Sequence, residues 1–79
     1  MEKAKIYAVL TGIFHDVFDN DSIIVTPDLT AEDVDDWDSL SHLRLVLSVE
    51  KSFGVRFSAS ETGKLKNVGE LVSLIEAKM

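Results

Sequence analysis

Apolar residues recur along the first eighteen positions at Ile6, Val9, Leu10, Ile13, Phe14, Val17 and Phe18. That i, i+3, i+4, i+7 spacing puts them on one face of a helix, predicted over roughly residues 3 to 18. The run "DNDS", residues 19 to 22, consists of turn formers and ends it. Residues 23 to 37 lose the period. They hold Pro27, scattered acids, and the apolar anchors Ile23, Ile24, Leu29, Val34 and Trp37. The expectation is a long loop, stapled to the core by those anchors, with one short helical turn. Periodicity resumes in "SLSHLRLVLSVEKSF". Asp38 is a suitable N-cap, Ser39 opens the helix, and Gly54 is placed to end it. A short turn is predicted near residues 59 to 65. Asn67 and Glu70 are an N-cap pair for a last helix carrying Val68, Leu71, Val72, Leu74 and Ile75 to about residue 77. The segment "VRF" is too short to read as a strand.

The second helix carries two apolar stripes. Leu45, Val46, Val49 and Phe53 form one, and Leu40, Leu43 and Leu47 form another, offset around the axis. A helix in a small bundle needs one stripe to bury. Either the helix is central and buries both, or the second stripe stays open for a partner. The polar positions Ser41, His42, Arg44, Ser48, Glu50 and Lys51 read as a solvated face.

Length and composition narrow the function. Seventy-nine residues allow one domain, taken as 1–79, and a 46% apolar share is enough to fold it. The net charge is −6, with 14 acids against 8 bases. Such a chain does not attract phosphate backbones or anionic membrane surfaces, so nucleic-acid and membrane binding are disfavoured and a basic protein partner is favoured. The lysines and apolar run at the N-terminus superficially resemble a signal peptide, but no small-residue cleavage site follows. A cytoplasmic protein is the expectation. There is no cysteine, which excludes a disulfide scaffold and thiolate zinc sites and leaves the chain without a thiol of its own.

Specific chemistry is sparse. The acids do not match a calcium loop: counted from Asp19 the fifth and sixth positions are Ile23 and Ile24, and counted from Asp28 the sixth is Asp33 instead of glycine. No metal site is assigned. His15 and His42 are the only histidines. His42 lies three residues after Ser39, which puts both on one side of a helix, so a Ser–His nucleophile pair is conceivable. No oxyanion hole is evident, and the chain is not read as an enzyme. Ser39 also has an ordinary reading as a helix-start serine. Its context is stronger than the tripeptide: it follows an acidic loop and opens the helix with spare apolar surface.

The segment "WDSLSHLRLVLSVEKSFGVRFS" resembles the phosphopantetheine attachment segment of the acyl carrier protein family. Asp38-Ser39-Leu40 matches that family's central motif, and Phe53-Gly54-Val55 its usual ending of the second helix. The order of helices and loop also matches, over essentially the whole chain. The resemblance implies an all-α four-helix bundle, three helices long and one short, with a long loop between the first two. It implies that Ser39 accepts 4′-phosphopantetheine from coenzyme A, through a separate phosphopantetheinyl transferase (holo-ACP synthase). The arm's thiol would then hold acyl or related groups as thioesters for acyl-loading and acyl-transferring enzymes. Asp38, Leu40, Leu43, Arg44 and Leu47 would form the partner-binding surface of a monomeric shuttle. Carriers of fatty acid biosynthesis are usually rich in acids on the exposed side of the second helix. Here Arg44 and Lys51 stand in that region, Glu50 is the one acid in the helix body, and Trp37 precedes the Asp-Ser pair in place of a small or aliphatic residue. These departures point to a specialised stand-alone carrier, for example in secondary metabolism, polysaccharide modification or amino-acid activation. The alternative is an unmodified helical interaction module that uses the Leu40, Leu43, Leu47 stripe.

Overall fold

The apolar period of the N-terminal segment becomes helix α1, Lys3–Phe18, in a computed structural model that describes residues 2–79. Helix α2 spans Ser39–Phe53, α3 Ala59–Gly63 and α4 Val68–Lys78. The described residues are all-helical, with three long helices, one short one and no strand. Asp19 closes α1 in the left-handed region, at φ 50°. Gly54 closes α2 at φ 67°, a conformation in which its missing Cβ removes the steric cost.

The core joins the buried faces of α1, α2 and α4. Ile6, Leu10, Ile13, Phe14 and Phe18 of α1 meet Leu45 and Val49 of α2 and Val68, Leu71, Val72 and Ile75 of α4. Phe14, Ile6, Leu10, Leu45, Val49, Val68, Val72 and Ile75 are fully enclosed. At the edge of the stripe Val9 stays 37% exposed. Helix α3 contributes no buried residue. It hangs between Phe57 and Leu65, which pack partly against the core.

The loop from 19 to 38 lies on this core with Val34 buried and Ile23, Leu29 and Trp37 partly so. Ile24, expected as an anchor, is 76% exposed, and Val25 packs in its stead. Extended backbone alternates its side chains, so only one of two neighbours can face inward. Ala31–Asp33 supply the short helical turn, of the 3-10 kind. Two loop carbonyls complete the start of α4: Val68 donates its amide to Leu29 and Gly69 donates to Pro27, both at 2.9 Å. Those amides have no partner inside the helix, so the loop satisfies them. A Cβ on Gly69 would lie 3.2 Å from the Pro27 carbonyl oxygen, which explains glycine there. Asn67 caps the same helix by accepting from the Glu70 amide at 2.9 Å. The expected return bond goes one residue further back: the Glu70 carboxylate accepts from the Lys66 amide at 2.8 Å.

Candidate functional site: the start of helix α2

The acidic loop ends where α2 begins, and the chemistry of the junction divides between two neighbours. Asp38, in extended backbone, accepts the Ser41 amide on its side chain at 2.9 Å. Its carbonyl accepts the His42 amide, which starts the helical ladder. Asp38 therefore fills the cap, and the exposed Ser39 next to it is the first helical residue and is not needed as a cap. Ser39 opens the helix, as its ordinary reading has it, and its hydroxyl makes no capping bond because Asp38 takes that place.

The Ser41 amide is the largest influence holding the Asp38 carboxyl below its usual range, followed by the Ser41 hydroxyl. A carboxylate that is easier to ionise folded than unfolded stabilises the fold above its unfolded pKa, near 3.8. That contribution is lost as pH falls through this value and below it. Asp38→Ala should lower the urea midpoint at pH 7. Asp38→Asn should retain the cap at pH 7 but flatten the acid limb of the stability profile. An unchanged midpoint for Asp38→Ala would remove the cap from the account.

Downstream, α2 resolves the question of its two stripes. Leu45, Val46 and Val49 are buried and Phe53 partly so. Leu40, Leu43 and Leu47 are 59%, 55% and 55% exposed. They form an apolar row that starts one residue after Ser39. Arg44 and Lys51 are exposed beside it. No Lys or Arg occurs between Lys5 and Arg44, so the side before Ser39 is acidic and the α2 face turns basic.

Two polar residues of α2 do not belong to a solvated face. Glu50 is half-buried and accepts the Phe57 amide at 2.7 Å, which ties the α2–α3 connection to α2. His42 is half-buried. The Trp37 indole N–H donates to its Nδ1 at 3.1 Å, and its Nε2 lies 3.2 Å from the Thr62 carbonyl. An indole can only donate, so Nδ1 carries the lone pair and Nε2 the proton. Both ring nitrogens are engaged, and neither serves as a base for Ser39. The Ser–His pair conceivable from spacing is absent. Trp37 itself packs edge-on against Phe14 at 5.4 Å and tilted against Phe18 at 5.8 Å. The residue before Asp38 thus fastens the junction to the core.

Neither Trp37 nor His42 stands out in sequence as a pair. Their spacing of five residues carries no helical signal, because Trp37 lies outside the helix. The only hint was an indole beside the Asp-Ser pair, needing a hydrogen-bond acceptor wherever it was buried.

An open groove of about 540 Å³ runs from Ser39 between α2 and α3, over Leu43, Leu47, Phe57 and Ala59. A smaller cavity of about 60 Å³ shares His42 and Val46 with it and is lined also by Trp37, Leu45, Leu65 and Leu71.

No family model matches the chain. Curated relatives do. An acyl carrier protein from Acidothermus cellulolyticus is 35% identical over 75 residues, 95% of this chain and 89% of the relative. One from Coprothermobacter proteolyticus is 32% identical over 79 residues, 100% of this chain and 96% of the relative. Among solved structures, the solution structure of holo acyl carrier protein from Geobacter metallireducens superposes with a TM-score of 0.85 at 47% identity, over 91% of this chain and 83% of that one. Helix order, the exposed serine that opens α2 and full-length similarity agree, and the chain belongs to the acyl carrier protein family.

Proposed function

We propose that residues 1–79 act as a single carrier domain, with 4′-phosphopantetheine attached through the Ser39 hydroxyl. Family membership supports the carrier role over an unmodified adaptor. The observation that carries the site is the division of labour at the junction: Asp38 takes the cap, and Ser39 stands exposed beside it on the first turn. A phosphodiester there would meet the amide-rich, positive end of α2. When bound, the arm supplies the thiol that the chain lacks and holds acyl groups as thioesters. The chain's own residues position it: α2 holds Ser39 at the mouth of the groove, and the groove's apolar lining faces the tether.

The partners are a phosphopantetheinyl transferase and enzymes that load and transfer acyl groups. Asp38, Leu40, Leu43, Arg44 and Leu47 form the surface they read. With Glu50 engaged by Phe57, the body of α2 offers partners Arg44 and Lys51 and no free carboxylate. This supports a specialised carrier whose partners differ from those of ordinary fatty-acid synthesis. Among the described residues no helix is long and apolar enough to cross a membrane. A cytoplasmic, monomeric shuttle is the setting that fits this role.

The test is incubation with coenzyme A and a broad-specificity phosphopantetheinyl transferase, read by intact mass and peptide mapping. The chain should gain one arm, on the peptide containing Ser39. An arm elsewhere, or none with several transferases, overturns the assignment.

The exposed leucine row yields a second expectation. Leu43 is 55% exposed, so Leu43→Asp removes little buried surface and should cost no more than about 1 kcal/mol of stability. As a central contact it should raise the transferase KM about tenfold, equivalent to ~1.4 kcal/mol. An unaltered KM would take Leu43 out of the interface.

A further inference from the structure

The net charge of −6 is not spread evenly over the molecule. The stretch from Asp28 to Asp38 holds six acids and no base. Beyond Ser39 the balance reverses on one face of α2. Arg44, Leu47 and Lys51 stand at i, i+3 and i+7, which aligns them along the helix. All three are exposed, and so is Arg56, just past the Gly54 stop.

Leu47 lies between two open grooves. One, of about 380 Å³, runs towards α1 and is lined by Arg44 with Asp16, Val17 and Ser48. The other, of about 540 Å³, turns round the end of α2 and is lined by Lys51 and Arg56 with Glu50 and Val55. Three cations therefore surround one apolar side chain that is 55% exposed. Against them stand two anions, Asp16 and Glu50, so the rim is net positive. Glu50 is already engaged by the Phe57 amide. Among the described residues no carboxylate forms an ion pair with Arg44, Lys51 or Arg56, whereas Lys3 meets Glu76 at 3.9 Å and Lys78 meets Glu61 at 3.0 Å. At contact the local sign outweighs the total, because exposed charges are screened beyond about 8 Å at physiological ionic strength. An extended polyanion would also lie across the acidic stretch before Ser39 and be repelled there. A folded protein surface can meet one end of α2 without the other.

We propose that the C-terminal half of α2 docks a protein partner whose contact face is acidic, with Asp or Glu side chains set around an apolar socket for Leu47. The proposal rests on α2 being the face that partners read, and it fixes the charge of the partner, opposite in sign to the basic one that the total charge favours. The molecule then has two docking zones, an acidic one before Ser39 and a cationic one at the far end of α2. They discriminate between partners by repulsion as well as attraction.

Two synthetic helical peptides serve as probes, identical in a leucine row and differing in whether glutamate or lysine flanks it. Each is titrated into the isotope-labelled full chain at physiological salt and read by amide NMR shifts. The glutamate peptide should move Arg44, Leu47, Lys51 and Arg56. The lysine peptide should move the Asp28–Asp38 stretch instead. Arg44→Glu, Lys51→Glu and Arg56→Glu together should weaken the glutamate peptide by about tenfold or more. Leu47→Asp should weaken it as well. The three basic side chains are exposed, so the reversed chain should keep its fold, which circular dichroism checks. If it does not, the wild-type comparison of the two peptides still decides. The lysine peptide on the Arg44–Arg56 face, neither peptide on that face, or glutamate-peptide binding unchanged by the reversal overturns the proposal. So does binding to phosphatidylglycerol vesicles, or self-association, that the reversal abolishes, since a lipid surface or a second copy would then be the occupant. Loading from coenzyme A is measured separately by intact mass. A chain that gains no arm defeats the carrier reading, while the peptide shifts still decide the charge of the docking face.

Discussion

Ser39→Ala should accept no phosphopantetheine at all, while Ser41→Ala, two residues away, should be modified as the wild type is. The loss is all or none because the transfer needs a hydroxyl at one place, the exposed first position of α2. The fold should not notice. Asp38 supplies the cap, so removing the Ser39 hydroxyl leaves no buried or capping group unpaired, and stability should stay within about 0.5 kcal/mol of wild type. Intact mass after incubation with coenzyme A and transferase reads the first outcome, and a urea melt the second. Residual loading of Ser39→Ala would mean that another hydroxyl is the acceptor. A large loss of stability would mean that Ser39 has a structural role.

The opposite separation is expected of Phe14→Ala. Phe14 is fully buried, on the C-terminal half of α1. It touches Phe18 at a ring distance of 5.7 Å and Trp37 at 5.4 Å, so it links the helix core to the loop that leads into the attachment site. Deleting a buried phenyl ring costs about 3–5 kcal/mol, through lost transfer energy and the cavity left behind. A domain of this length has on the order of 4–12 kcal/mol in all. Phe14→Ala should therefore lose a quarter or more of the folding free energy, or unfold. A urea melt followed by far-UV circular dichroism checks this, and a loss below ~1 kcal/mol would contradict the core described above. In the folded fraction the Trp37 emission should shift to the red, since one wall of its site is gone. Loading at Ser39 should persist in that fraction, because Phe14 is remote from the partner surface.

The two variants isolate two layers of the molecule. The core of α1, α2 and α4 determines whether the chain folds. The face of α2 determines what the folded chain does. They meet at Trp37, which packs on Phe14 and bonds to His42, so changes in loop packing reach the groove through one side chain.

Much of this was legible in the order of residues. The α1 stripe, the Asp38 cap, the Gly54 stop and the start of α4 are local effects, set by side chains within one or two turns. They appear in the structure as expected, and so do the four helices and the long connection. The candidate acceptor was legible too, because its surroundings form a motif that is contiguous in sequence. Local pattern could not decide which of the two α2 stripes would be covered. Both have helical spacing, and only the arrival of α1 and α4 on one side left Leu40, Leu43 and Leu47 open. Nor could it place Ile24 and Val25, since loop side chains are sorted by what lies beneath them.

His42 and Glu50 show the same limit in polar residues. By pattern they belong to a solvated face. In the structure Glu50 caps the Phe57 amide, and His42 bridges Trp37 and Thr62. Their partners are separated by five to twenty residues, and no periodicity connects them. The sequence by itself determined the helices, their ends and the serine at the head of α2, because those depend on neighbours along the chain. The tertiary structure alone decided which leucines stay exposed and that a histidine bridges Trp37 and Thr62 behind the serine. Both depend on which surfaces are brought together, and that is set only when the helices pack.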